Sequence, residues 1–504
     1  MSQNFFSLIR SRTTDDDKVF IRTVDGRSYT YGETWQLSAR FANVLSSKGV
    51  VIGDRVAVQV DKSPEAIILY LACLRAGVVY LPLNTAYTLA ELEYFIGDAK
   101  PHVVVCTPDK YDVIEPMASS LGVFSTLTLG AEGDGILAEE AAGASPSYET
   151  ILVEQSDLAA ILYTSGTTGR SKGAMLTHAN LASNARTLVE YWHFTDRDEL
   201  LHALPIFHTH GLFVATNVIL LSSASMCFLP KFDPKLIRQE MRTATVMMGV
   251  PTFYTRLLRE DWLNRDSTDH MRLFISGSAP LLADTHRAWT EKTGHHILER
   301  YGMTETNMIT SNPYDGERVP GSVGPALPGV SVRITEPESG KLLPANSAGM
   351  IEVRGPNVFK GYWRMPDKTQ SEFRADGYFI TGDIGYMDDD GYVFVSGRSK
   401  DLVITGGYNV YPKEIESEID SIEGVEESAV VGLPHADFGE AVTAVVILKD
   451  GVALTEADIM SRLDPVLAKY KLPKRILFEA SLPRNTMGKV LKNEIRKQHE
   501  DLYK

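Results

Sequence analysis

Cysteine is scarce in this 504-residue chain: only Cys73, Cys106 and Cys227 occur, and no two form a CxxC pair. A disulfide framework and a thiolate zinc site are therefore not expected, and a reducing cytoplasm fits. Basic residues are also in deficit, with 50 Lys and Arg against 65 Asp and Glu, a formal net charge of −15. A nucleic-acid binder needs a basic face to neutralise phosphates, so that class is set aside. Any anionic ligand must be met by local donors, because the global field repels it. Long apolar runs are missing too. The most apolar stretch, 66–83, is broken by Arg75 and Gly77, too interrupted for a bilayer span. Residues 1–18 run quickly into acids and lack the pattern of a signal peptide. The expectation is a soluble, cytoplasmic protein with no membrane partner.

What is present is an ordinary globular composition, 44% hydrophobic and 23% charged, on a chain too long for one core. Helical stretches such as 63–75 alternate with short apolar strands: 78–84, 102–107, 226–230, 246–251 and 273–277. That alternation predicts α/β layers with substantial parallel sheet. Near Gly349 the texture changes to strand–turn–strand segments with Gly and Asp at the turns, as in antiparallel hairpins. After 407–412 come a helix (413–420), two strands, a helix (456–469) and a strand, a small α+β unit. The boundary is placed at 397–400, giving a large domain over 1–398 and a small one over 399–504. Residues 130–147 read as an exposed acidic loop.

The densest local signal is 163–173, YTSGTTGRSKG, where an apolar strand runs into a loop rich in Gly, Ser and Thr and closed by Lys172. Backbone N–H groups and hydroxyls in such a loop surround phosphate oxygens, and the lysine adds positive charge. The spacing is not G-x-x-x-x-G-K-[ST], and no GK[ST] occurs anywhere. Further clusters are 299–305 (ERYGMTE), 378–383 (YFITGD), 396–401 (SGRSKD) and 483–489 (PRNTMGK). Taken singly, each also reads as a turn or a solvated surface segment.

Together with FHTHG, GSAPL and GGYNVYPKEIE, the ordered set resembles the adenylate-forming superfamily of acyl-CoA synthetases, luciferases and peptide-synthetase adenylation domains. The resemblance covers about residues 20 to 495 and is strongest to members that act on malonate. It implies a large layered N-terminal domain and a small mobile C-terminal one, with ATP, Mg2+ and coenzyme A as reactants. It implies that Thr164, Ser165, Gly166, Thr167, Thr168, Gly169 and Lys172 hold the β- and γ-phosphates. Ser278, Ala279 and Pro280, with Glu299, Arg300, Tyr301, Gly302 and Met303, would form the adenine slot, Tyr301 offering its ring face. Thr304 would reach the α-phosphate, Glu305 would bind Mg2+, and Asp383 would accept from the ribose hydroxyls beside Arg398. Lys400 falls at the family's hinge position, Gly406 and Gly407 on the pantetheine path, and Lys489 at its catalytic lysine. A lysine there eases the meeting of a carboxylate with a triphosphate, two anions.

Three residues depart from the fatty-acid pattern: Arg256 in GVPTFYTRLL, Arg300 in LERYGMTE and His208 in PIFHTHGL. A dicarboxylate such as malonate keeps a second charge after one end is activated, and a guanidinium is its natural partner. Arg256, helped by Ser278, is expected to take that distal carboxylate; Arg300 is the second candidate, His208 gates the pocket, and His210 is left as structural. Methylmalonate, another short acid, transfer to a carrier protein and a non-catalytic nucleotide binder stay open.

Overall fold

The computed structural model describes residues 3–164, 171–405, 408–435, 437–485 and 488–503. One large sheet runs, edge to edge, Asn307–Ser311, Leu298–Met303, Leu273–Ser276, Val246–Gly249, Glu199–His202, Ser225–Phe228, Val19–Thr23 and Ser28–Thr30. Its six inner strands are parallel and each edge strand is antiparallel. A second sheet orders Gly361–Tyr362, Lys172–Thr177, Leu158–Thr164, Val79–Pro82, Arg55–Gln59, Val103–Cys106 and Ser125–Thr128, the last five parallel. The predicted α/β layering is therefore present.

Parallel strands must be covered on both faces, which is why these runs are apolar throughout rather than alternating. On the inner faces, Val56, Val58, Val103 and Val105 of one sheet share a core with Met226, Val246, Met248 and Ile275 of the other. Helix Pro64–Arg75 lies in that shared core, with every residue from Pro64 to Leu74 buried. Ser63 caps it, accepting from the Ala66 N–H at 3.1 Å, and Pro64 occupies the first turn. Burying each of its Ile and Leu side chains contributes about 1.5–3 kcal/mol. On the outer faces, Ala57 and Val104 pack with Leu92 and Phe95, and Met247 and Phe274 pack with Tyr254 and Trp289.

The expected antiparallel region is a four-stranded sheet, Ser331–Thr335, Gly349–Arg354, Phe379–Met387 and Val393–Arg398. A last sheet takes all its strands from beyond residue 402. Val403–Thr405, Tyr408–Val410, Val425–His435 and Gly439–Leu448 are antiparallel, with Arg475–Phe478 added in parallel. Its own core joins Val403, Ile415, Ile419, Val430, Val442 and Ile459. Two local expectations are corrected. The helix foreseen over 456–469 ends at Leu463, because Pro465 has no N–H to donate back into the helix. The acidic loop at 130–147 contains helix Ile136–Gly143, which buries Leu137 and Ala141. Among the described residues no helix is long and apolar enough to cross a membrane.

Candidate active site

Parallel strands Glu199–His202, Val246–Gly249 and Leu273–Ser276 end at one edge of the first sheet, and the segments that follow them converge there, where ligands of such sheets bind. Side chains alternate along Leu298–Met303, so Arg300 and Tyr301 leave on opposite sides. Arg300 lies flat against Gly277: a Cβ at that glycine would stand 2.4 Å from the guanidinium carbon. Arg300 is 3% exposed, and its Nε and Nη2 have no hydrogen-bond partner. Burial pushes its pKa down to about 9.

Around it the loop after His202 begins a wide π-helical turn, His210–Thr216. His210 is buried, meets the Ser278 hydroxyl at 3.2 Å through Nδ1, and keeps Nε2 unpartnered. Burial, then the Arg300 charge, holds it neutral, well below the usual range. His208 is likewise pushed down to about 4 by burial, with an unpartnered Nε2. Ser278 adopts φ of 75°, a strained conformation for a residue with a side chain. This end of the sheet therefore carries one uncompensated cation and two neutral imidazoles. An unpaired buried guanidinium costs several kcal/mol, which a carboxylate gripping it through two N–H groups offsets.

On the other face of the same strand, the Tyr301 hydroxyl donates to Asp383 Oδ2, and Arg398 Nε donates to Asp383 Oδ1 at 2.7 Å. Asp383 and Arg398 oppose one another in the register of Phe379–Met387 and Val393–Arg398. Lys489 is within electrostatic reach of both; burial first, then Arg398, pushes its ammonium pKa down to about 8. It sits on a tight hairpin closed by an Arg484–Val490 bridge, with the Lys489 N–H donating to Asn485 Oδ1 at 2.9 Å. Gly488 packs against Thr252 of helix Pro251–Leu258, so the hairpin meets the large sheets. Lys400 is exposed in the turn joining the antiparallel sheet to the last one, beside the Asp401–Arg496 ion pair of 2.8 Å.

A third group forms where Leu158–Thr164 and Lys172–Thr177 pair. Thr164 Oγ1 lies 3.5 Å from Glu305 Oε1, and the Tyr362 hydroxyl 3.0 Å from the same oxygen. Burial raises the Glu305 pKa. Lys172 stands 4.2 Å over the Tyr362 ring and 3.2 Å from Glu372 Oε1. Residues Ser165, Gly166, Thr167, Thr168, Gly169, Gly406 and Gly407 lie outside the described residues.

The structure thus brings together Thr164, Lys172 and Glu305; Tyr301, Asp383, Arg398 and Lys489; and His208, Ser278 and Arg300. Ala279 and Pro280 follow Ser278 at the surface of the same loop, and Gly302, Met303 and Thr304 link Arg300 to Glu305. The Glu299 carboxylate faces the Gly321 N–H at 3.4 Å and His286 at 3.6 Å. Helix Pro251–Leu258 buries Pro251, Tyr254 and Leu257, and Arg256 falls on its outer face, exposed, 6.0 Å from the Phe232 ring. Arg300 leaves its strand on the side opposite Tyr301. His210 stands beside Ser278 and feels the Arg300 charge. Tyr362 and Glu372 carried no motif of their own; only their partners, far away in sequence, reveal them.

Residues 9–363 match the family model for AMP-binding enzyme, and 414–489 match that for AMP-binding enzyme C-terminal domain. The ATP-bound structure of MatB from Rhodopseudomonas palustris is 63% identical over 100% of both chains, with a TM-score of 0.98. Its apo structure, with the same identity and coverage, gives 0.87. A malonate–CoA ligase of Arabidopsis thaliana is 35% identical over 96% of this chain and 87% of its own length. The mitochondrial malonate–CoA ligase ACSF3 of Mus musculus is 36% identical over 93% and 87%. The chain belongs to the AMP-binding enzyme family and has its adenylate-forming fold.

Proposed function

We propose that this protein is a malonate–CoA ligase, joining malonate to coenzyme A at the expense of ATP, with AMP and diphosphate released. The observation that carries the substrate is Arg300: a buried guanidinium with two unpartnered nitrogens, flanked by His208, His210 and Ser278. A monocarboxylate leaves that charge unpaired; a second carboxylate pairs it.

The large domain over 1–398 binds ATP and the acid, and the small one over 399–504 moves about Lys400. Thr164, the loop 165–169 and Lys172 hold the phosphates, with Thr304 at the α-phosphate. Asp383, oriented by Tyr301 and Arg398, receives the ribose. Ala279, Pro280 and residues 299–303 other than Arg300 line the adenine. Mg2+ arrives with the nucleotide. Glu305, with the Thr164 hydroxyl beside it, is an all-oxygen donor set that suits a hard cation whose remaining ligands are phosphate and water. When bound, that ion draws charge from the phosphate oxygens.

Malonate is already ionised near neutral pH, so no general base is needed at the attacking carboxylate. Arg300 holds one end; Lys489 draws the other toward the α-phosphorus by offsetting the repulsion of the two anions. The carboxylate oxygen forms the new P–O bond and diphosphate leaves with the broken one. The small domain then withdraws Lys489, the pantetheine arm enters past Gly406 and Gly407, and the thiol sulfur attacks the acyl carbonyl. The carbonyl carbon–AMP bond breaks, and the thiol proton is lost. A reducing cytoplasm suits the three free, buried cysteines.

Arg300→Met tests the assignment. The expected outcome is a loss of malonate kcat/KM of about 10²- to 10³-fold, equivalent to the removal of a buried charge pair, with ATP affinity unchanged. Retained malonate use in that variant would sink it.

A further inference from the structure

Glu372 belongs to no motif and to none of the roles above, yet it holds the loop lysine. Its Oε1 accepts from Lys172 at 3.2 Å and from Lys368, one helical turn back; its Oε2 accepts from the Tyr362 hydroxyl at 2.7 Å. Tyr362 also reaches Glu305 at 3.0 Å, so Glu372 is one hydroxyl removed from the carboxylate assigned to Mg2+. The Lys172 and Glu372 side chains are 14% and 19% exposed, so solvent and salt screen their attraction only in part.

We propose that Glu372 competes with the phosphates for Lys172, so that this enzyme binds ATP and diphosphate less tightly than its lysine alone would allow and releases diphosphate faster. The inference rests on the reading of Lys172 as a phosphate contact. The physical argument is one of charge. A carboxylate within 3.2 Å of the ammonium takes up part of the attraction meant for phosphate, and it repels the phosphate oxygens directly. Losing that carboxylate does not set Lys172 adrift, because the Tyr362 ring still lies 4.2 Å beneath the ammonium. A group that merely propped Lys172 in place would act with the opposite sign: its loss would weaken phosphate binding. The functional sense is that diphosphate must leave before the small domain turns, and a built-in rival for its lysine speeds that departure.

Calorimetric titration of Mg-ATP and Mg-diphosphate into the full-length enzyme, without malonate or CoA, separates the readings. Glu372→Gln keeps the side chain's shape, and Glu372→Ala is run beside it in case one of the two fails to fold. The expected result is about tenfold tighter binding of both ligands in each folded variant, with diphosphate becoming a stronger product inhibitor. Unchanged or weaker binding in Glu372→Gln overturns the proposal. Lys172→Met distinguishes its foundation: lost affinity there supports the phosphate role of the loop, and unchanged affinity overturns that role and this inference together.

Discussion

Arg300 is costly to keep. A guanidinium shut away from water, with two donors unmatched, destabilises the protein that carries it, and such a cost persists where function needs the charge. Arg300→Met, expected to lose most of its malonate use, is therefore also expected to be more stable than the parent by about 1–3 kcal/mol, read from denaturant unfolding. Lys489 shows the same tension in a titrating group. Its ammonium is pushed down to about 8 by burial first and Arg398 second, so the unliganded enzyme loses this cation as pH rises through about 8. The kcat/KM for adenylate formation should fall along an alkaline limb in that range, since kcat/KM reports the free enzyme. Thioester formation from pre-made malonyl-adenylate should lack the limb. Lys489→Arg should move it upward while lowering the plateau, because a planar fork does not occupy the place of a point charge. At this scale the sequence told much: the residues that meet at Asp383, and Thr164 beside Glu305, stand in motifs. It said less about Arg256, whose exposure follows from the burial of Pro251, Tyr254 and Leu257 on the other face of the helix.

The strand-to-loop junction after Leu273–Ser276 sets the shape of the acid pocket. Gly277 gives Arg300 a floor with no side chain, and Ser278, held at φ of 75°, turns its hydroxyl to His210. Gly277→Ala places a methyl 2.4 Å from the guanidinium carbon, so Arg300 must move. The expected effect is a rise in KM for malonate of about tenfold or more with ATP affinity kept, measured by initial rates over both substrates. An unaltered KM would mean that Arg300 does not work from that floor. Many of the strands were legible in the sequence, because parallel strands buried on both faces announce themselves as short apolar runs. The pairing of Gly361–Tyr362 with Lys172–Thr177, which brings Tyr362 to Lys172, was not. Nothing local in GYWR says that it crosses nearly two hundred residues to edge that sheet.

At the scale of the molecule, two contacts join the segment beyond residue 402 to helix Pro251–Leu258 and its end: Gly488 against Thr252, and the Arg259–Glu426 ion pair. Both of its partners are exposed, so the pair adds little to stability and would not hinder the rotation proposed for the small domain. The two-domain reading came from a change of texture near Gly349 and a turn at 397–400. Where the second unit rests was beyond the sequence, because weak polar contacts of this kind leave no periodicity. The account as a whole stands on one claim, that the pocket is built for an acid with two charges. AMP release by the purified enzyme, dependent on coenzyme A, with malonate and its neutral-ended monoamide as rival substrates, tests it directly. The account expects kcat/KM to fall by about 10²-fold or more on the monoamide, whose second end cannot neutralise Arg300. Equal use of the two acids would contradict it.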